Sequence, residues 1–130
     1  MATTTINSLD GSGSFTAYRA DPEGTPRGAI VVIQEVFGVN EGIRRKCDYW
    51  ASKGYVTLAP DLFWRLDPGI QLDPDVPDQF QRGLDLFGKF DQDKGIEDIE
   101  ASIRAARAAT GGKVGVTGYC LGGRLGYQTA

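Results

Sequence analysis

A cysteine in a glycine-rich turn is the residue of this sequence best suited to nucleophilic chemistry. Cys120 lies in the segment GYCLGG at 118–123, which follows a β-prone run at 113–117. Glycines two residues before and two residues after a nucleophile allow the sharp strand-to-helix turn called a nucleophile elbow. That turn also places the thiol at the amino terminus of a helix, where the helix dipole favours the reactive thiolate. Cys120 is therefore the candidate nucleophile; on the motif alone, a buried structural cysteine is the alternative.

A carboxylate stands at a second strand end that we expect to lie near Cys120. Glu35 follows the continuously apolar run at 29–33. The carboxyl ends of parallel strands meet at one edge of a sheet, where ligands bind, so Glu35 could polarise the thiol. A solvated acid at a strand end is the alternative on this argument alone. The other cysteine, Cys47, falls on the apolar face of a predicted helix, and we expect it to pack in the core.

The elements that must position these residues alternate between strand and helix patterns. An amino-terminal hairpin is predicted at 3–8 and 14–19, with its turn at Asp10 and Gly11. The remaining elements are, in chain order, a strand at 29–33, a helix at 40–53, a strand at 55–59, a long loop at 62–77, helices at 78–90 and 93–109, a strand at 113–117 and a helix from about Gly122. This alternation predicts a single α/β domain over 1–130, a three-layer sandwich whose mostly parallel sheet carries helices on both faces.

Composition excludes several classes of function. The chain has 130 residues and a net charge of −3, so it lacks the basic surface that nucleic-acid binding requires. Its longest apolar run, at 29–33, is far too short to span a membrane, and its amino terminus lacks the pattern of a signal peptide, so we expect a cytoplasmic protein. The two cysteines match no metal or redox spacing, so neither a metal nor another cofactor is expected.

Three blocks of the sequence together resemble the dienelactone hydrolase family. They are QEVFGVN at 34–40, GYV at 54–56 followed by PDL at 60–62, and GVTGYCLGG at 115–123. The resemblance covers roughly residues 6–130 with matching spacing between the blocks, so it is much more specific than the elbow alone. It implies an α/β-hydrolase fold and hydrolysis of an ester or enol-lactone through a Cys-His-Asp triad.

The resemblance also implies a role for each residue of the site. Cys120 attacks the lactone carbonyl to form an acyl-enzyme, while Glu35 interacts with the thiol and helps to generate thiolate. The backbone N–H groups of Leu121 and Val36 hold the oxyanion. Loss of one such donor typically costs about 2.7–4 kcal/mol in the transition state. The expected partner is a small-molecule ester or lactone.

The predicted substrate contacts are Phe37 and Arg82. The arginine that binds the substrate carboxylate in the family aligns with Phe80, and Arg82 stands two residues later, on a different face of the helix. The resemblance therefore does not extend to this contact. Phe80, Leu84 and Phe87 recur at i, i+4 and i+7, which predicts either an apolar wall of the pocket or ordinary core packing.

The chain contains no histidine, and the aspartate and histidine of the family would lie after Ala130. We therefore expect a fold truncated after the elbow, which is inactive alone and either associates with the missing half or self-associates through the exposed edge at 113–117. A natural short form or an interaction domain that keeps the fold without the triad is the alternative. A phosphatase-type Cys-x5-Arg motif is absent, since Gly126 stands where the arginine would be.

Overall fold

Strands and helices alternate along the chain as the sequence predicts. The computed structural model describes residues 2–118, so Met1 and residues 119–130, and with them Cys120, Leu121 and the predicted last helix, lie outside the described residues. The elements are β1 (Ala2–Asn7), β2 (Ser14–Ala20), β3 (Gly28–Ile33), α1 (Glu41–Ser52), β4 (Tyr55–Pro60), α2 (Pro77–Lys89), α3 (Gln92–Thr110) and β5 (Val114–Gly118). Their bounds differ from the predicted ones by at most one residue.

The five strands form one sheet in the order β1-β2-β4-β3-β5. β3 is parallel to both β4 and β5, whereas β2 is antiparallel to β1 and β4, so β2 alone runs against the other four. This confirms the mostly parallel sheet. The register sets Ile33 beside Gly118. The chain therefore leaves β3 and β5 at the same point of the carboxyl edge, just before Glu35 and just before the predicted elbow.

Helices cover both faces of the sheet, which confirms the three-layer architecture. Alternate side chains of a strand point to opposite faces. Val31 and Ile33 of β3 pack with Ile99 of α3, whereas Val32 packs with Ile43 of α1. The apolar run at 29–33 is therefore buried from both sides, as its sequence predicts.

Helix α1 begins and ends where its sequence predicts. The Asn40 side chain caps the amino terminus by accepting the Ile43 N–H at 3.2 Å. At the other end the Gly54 N–H donates to the Ala51 carbonyl at 3.0 Å, and the Gly54 φ of +104° changes the direction of the chain that follows. The chain then turns directly into β4. These ends fix Cys47 on the sheet side of the helix, where it is buried.

An ionic network around the buried carboxylate of Asp98 ties the hairpin and the long loop to α3. The Asp98 carboxylate, only 1% exposed, accepts the Trp64 indole N–H at 2.9 Å and two N–H groups of Arg65 at 3.0 and 3.2 Å. Arg65 also donates to Asp10 and Ser12 of the hairpin turn, at 3.3 and 2.8 Å. Asp10 is further bound by the Lys94 ammonium of α3 at 3.0 Å.

Within residues 2–118, no helix combines the length and apolar character needed to cross a membrane. The same part of the chain contains no cluster of three or more histidine, cysteine or carboxylate side chains that could hold a metal ion.

Candidate functional site

The chain makes a tight turn at 35–38 immediately after β3. The Gly38 N–H donates to the Glu35 carbonyl at 3.3 Å, and Gly38 adopts a φ of +77° that other residues rarely tolerate. A side chain on Gly38 would also overlap the Ile70 carbonyl oxygen. The Leu72 N–H donates to the Phe37 carbonyl at 2.9 Å. Backbone contacts therefore help to hold the turn between β3 and the long loop.

Gln34 connects this turn to the end of β4. Its side chain is fully buried, and its amide oxygen accepts the Leu62 N–H at 2.8 Å. The amide nitrogen donates to the Glu35 carbonyl at 3.2 Å. One buried side chain thus fixes the two strand ends relative to each other, which is why a polar residue follows the apolar run of β3.

The Val36 backbone N–H is a candidate hydrogen-bond donor for a ligand. Among residues 2–118 the structure shows no acceptor for it and none for the N–H of the next residue, Phe37, whereas the Gly38 N–H and the Glu35 carbonyl are bonded. Buried backbone N–H groups nearly always have a partner, and Val36 is partly buried. Such a donor at the carboxyl edge of a parallel sheet is suited to bind a carbonyl oxygen or an oxyanion.

Glu35 lies on the side of the turn that faces α1. Its partly buried carboxylate stands 3.5 Å from the Lys46 ammonium. This is a long ion pair, so it holds the carboxylate weakly. The thiol predicted to contact Glu35 belongs to Cys120, outside the described residues, and the pairing of the two stays a prediction.

Phe37 projects from the turn into a cluster of apolar side chains. Its ring packs with Phe63, Leu72 and Leu86, and its centroid lies 5.6 Å from that of Phe80 on α2. These contacts therefore hold the Phe37 ring in place at the carboxyl edge of the sheet.

Helix α2 rests on the turn through a glycine. A Cβ added to Gly83 would lie 2.8 Å from the Val36 carbonyl oxygen and 3.1 Å from the Phe37 ring, both closer than packing allows. Only glycine therefore lets the helix approach the turn this closely. Gly83 was not among the residues predicted for the site. The available signal was a glycine in the interior of a predicted helix, which often has a packing reason.

Arg82 and Phe80 occupy different sides of α2. The Arg82 guanidinium donates to the Asp67 carboxylate of the long loop at 3.1 Å. Phe80 and Leu84 are exposed instead, so core packing, the second alternative for these residues, is wrong for both. Phe87 does pack against the core that α3 covers.

Asp61 at the end of β4 organises the long loop. Its buried carboxylate accepts the N–H groups of Phe63 at 3.2 Å and Gly69 at 2.7 Å. Burial raises the pKa of Asp61, while these two hydrogen bonds oppose the increase. A cavity of about 100 Å³ lies beside it and is lined also by Thr16 and Arg44. Glu35 and Phe37 do not line this cavity, so it is separate from the candidate site.

Cys47 packs in the core as predicted. It is fully buried on the side of α1 that faces the sheet, and burial raises the pKa of its thiol to about 12. A thiol with such a pKa is almost wholly protonated at neutral pH and is a poor nucleophile. Cys47 is therefore unsuited to catalysis.

A family model described as the dienelactone hydrolase family matches residues 15–130. The chain belongs to this family. It is 41% identical over 127 residues to the carboxymethylenebutenolidase of Pseudomonas putida, covering 96% of the chain and 53% of that protein. It is 38% identical over 120 residues to carboxymethylenebutenolidase 1 of Cupriavidus pinatubonensis, covering 91% of the chain and 51% of that protein.

Solved structures agree with this family and with the fold. A dienelactone hydrolase-like protein of Klebsiella pneumoniae subsp. pneumoniae superposes with a TM-score of 0.73 at 30% identity, covering 100% of this chain and 55% of that one. A dienelactone hydrolase-like phosphotriesterase from metagenomic libraries has a TM-score of 0.71 at 23% identity, covering 99% and 53%, and shows the fold alone. The chain spans about half the length of the relatives it matches.

Proposed function

We propose that the protein hydrolyses esters or enol-lactones with Cys120 as its nucleophile. Membership of a hydrolase family and the elbow sequence around Cys120 support this assignment. The thiolate sulfur bonds to the carbonyl carbon, and collapse of the tetrahedral intermediate breaks the carbon–oxygen bond of the ester. The leaving oxygen takes a proton, and water then attacks the thioester to release the acid and regenerate the thiol.

The observation that carries the proposal is the Val36 N–H. It has no acceptor among residues 2–118, and it lies in a turn that Gly38 and Gly83 hold rigidly. We assign it, with the Leu121 N–H, to the oxyanion of the tetrahedral intermediate. A donor fixed before the reaction stabilises developing charge without reorganising, which is the most effective form of electrostatic catalysis.

We assign Glu35 to the activation of the Cys120 thiol. The register of β3 and β5 supports the assignment, because Ile33 and Gly118 are paired and each stands two residues before one of these groups. The weak pairing of Glu35 with Lys46 at 3.5 Å leaves the carboxylate able to accept a hydrogen bond from a thiol. An aspartate and a histidine after Ala130 would complete the triad.

Phe37 and Arg82 remain our candidates for substrate contacts, and Phe37 is the better supported of the two. Phe37 adjoins the Val36 N–H, whereas Arg82 would first have to leave the Asp67 carboxylate. We propose a small cytoplasmic ester or lactone as the partner. The later part of the protein, or a second copy beside β5, would complete the sheet; β5 is an end strand of the sheet that residues 2–118 form.

Ester turnover by the protein as its gene encodes it tests these assignments. We expect Cys120→Ala to reduce kcat/KM for p-nitrophenyl acetate at least a thousandfold. Glu35→Gln should reduce it about ten- to a hundredfold and shift its pH profile. Cys47→Ala is the matched control, because this second thiol is buried in the core.

Retention of full activity by Cys120→Ala would refute the nucleophile assignment. An inactive wild-type protein that is nevertheless folded would favour the alternative, an interaction domain that keeps the fold without the chemistry.

A further inference from the structure

Helix α2 presents an apolar stripe to solvent. Val76, Phe80 and Leu84 are 38%, 44% and 42% exposed, although each is large and apolar. Phe80 and Leu84 stand four residues apart on one side of the helix, and Val76, the N-cap residue of α2, stands four residues before Phe80. Single exposed apolar residues are common, but a continuous stripe indicates a binding surface.

The stripe begins at the candidate site. Phe80 contacts the Phe37 ring with centroids 5.6 Å apart, and Phe37 is the neighbour of Val36 in the turn. Gly83 presses the same helix against the Val36 carbonyl. The stripe therefore extends outward from the N–H group to which we assign the substrate oxyanion.

The charges of α2 are kept away from this stripe. Successive residues of an α-helix are rotated by about 100°, which places every charged residue of α2 about 140–200° from Phe80. These residues are Asp78, Arg82, Asp85 and Lys89. The only arginine among them is paired with Asp67, so it does not offset the apolar character of the stripe.

We propose that Val76, Phe80 and Leu84, together with Phe37, bind an uncharged apolar acyl group of the substrate. This inference rests on the proposed ester hydrolysis and names its substrate class. An acyl chain extends from the carbonyl carbon whose oxygen the Val36 N–H binds, and the exposed apolar side chain beside that turn is Phe80, whose ring contacts the buried ring of Phe37. A carboxylate at the end of that chain would lose its hydration against the stripe without gaining a cation.

Three p-nitrophenyl esters with the same leaving group test the inference in the protein as its gene encodes it. They are the acetate, the hexanoate and the monoester of adipate, which has the chain length of hexanoate but ends in a carboxylate. We expect the wild type to prefer hexanoate to adipate at least tenfold in kcat/KM. Phe80→Ala and Leu84→Ala should each lower the hexanoate-to-acetate ratio about three- to tenfold.

Two further variants test the effect of a charge in the stripe and provide a control outside it. Phe80→Arg should narrow the preference for hexanoate over adipate, because it places a cation in the stripe. Leu9→Ala is the matched control: Leu9 is 43% exposed but lies in the hairpin turn, so both ratios should stay within twofold of wild type.

Each alternative gives a distinct result. Equal turnover of hexanoate and adipate by the wild type, or unchanged ratios in both alanine variants, would overturn the inference and leave ester hydrolysis intact. Turnover of none of the three esters by a folded wild type would overturn ester hydrolysis and the inference together. Loss of a dimer in Phe80→Ala, seen by sedimentation with unchanged ratios, would show that a second copy covers the stripe instead.

Discussion

Removal of the Asp98 carboxylate should destabilise the protein far more than removal of a neighbouring exposed acid. Asp98 is 1% exposed and accepts three hydrogen bonds, one from the Trp64 indole and two from the Arg65 guanidinium. Asp98→Ala leaves these donors without their acceptor. It also disconnects the loop after β4 from α3, because the described partners of Asp98 outside α3 belong to that loop.

The size of the effect follows from the burial of each partner. Loss of one member of a buried ion pair typically costs about 3–5 kcal/mol. Arg65 is partly exposed and keeps its contacts with Asp10 and Ser12, so part of that loss is recovered. We therefore expect about 3 kcal/mol for Asp98→Ala. Asp98→Asn retains an oxygen for the indole N–H and should cost about half as much.

Urea unfolding followed by tryptophan fluorescence measures these differences, since Trp64 lies in the network. Glu100→Ala is the matched control on the same helix. Glu100 pairs with Arg104 at 3.2 Å, but the two side chains are 41% and 62% exposed, so the loss should stay below about 1 kcal/mol. If Asp98→Ala costs no more than Glu100→Ala, the network contributes no more than a surface pair and the argument is wrong.

Three further predictions concern the turn, the buried thiol and the hairpin. Gly83→Ala should destabilise the protein by about 1–3 kcal/mol and lower kcat more than it raises KM, because the new methyl group displaces Val36. Gly88→Ala is the control and should not destabilise the protein, because its methyl group meets no atom within 4 Å. Equal effects of the two substitutions would contradict close packing at Gly83. Burial raises the pKa of Cys47 to about 12, so a thiol reagent should label equal numbers of cysteines in native wild type and native Cys47→Ala. After unfolding, the reagent should label one cysteine fewer in the variant than in wild type. Labelling of Cys47 in the native protein would contradict this prediction. Hydrogen bonds from Ser12 hold the pKa of Asp10 well below its ordinary value, so the Asp10 carboxylate contributes to stability above about pH 4 and loses this contribution as the pH falls through the folded pKa. The Tm difference between wild type and Asp10→Asn should therefore shrink between pH 7 and pH 2. A constant Tm difference would contradict this pH dependence.

The strands and the two sheet-covering helices were predictable because their apolar patterns match their burial. The run at 29–33 is apolar at every position, which matches a strand covered on both faces. Ile43, Cys47 and Ala51 recur at helical spacing and all are buried in α1. The strand is covered by helices on both faces and the helix packs on the sheet, so each apolar pattern matches the burial of its element.

Helix α2 was predictable as a helix, but its buried side was not. The apolar period through Phe80 and Leu84 suggested a face that the structure exposes, whereas Gly83 and Leu86 are buried. The reason is that α2 packs on the turn at 35–38 and on the long loop, not on a strand. A glycine that permits close approach has no hydrophobic signal, and the positions of the loops depend on contacts distant in sequence. The Asp98 network escaped prediction for the same reason, because its partners lie 33 and 34 residues earlier.

The residue types of the candidate site are a prediction from sequence, whereas the packing that holds its turn is visible only in the structure. Glu35 and Val36 stand in a turn that Gly38 closes against Ile70 and Gly83 closes against α2. A catalytic N–H is effective only when it is fixed before the transition state forms. The same helix that fixes it also carries the exposed stripe at Phe80. Substitutions that shift α2 should therefore change turnover and acyl preference together, whereas substitutions that only trim the stripe should change acyl preference alone.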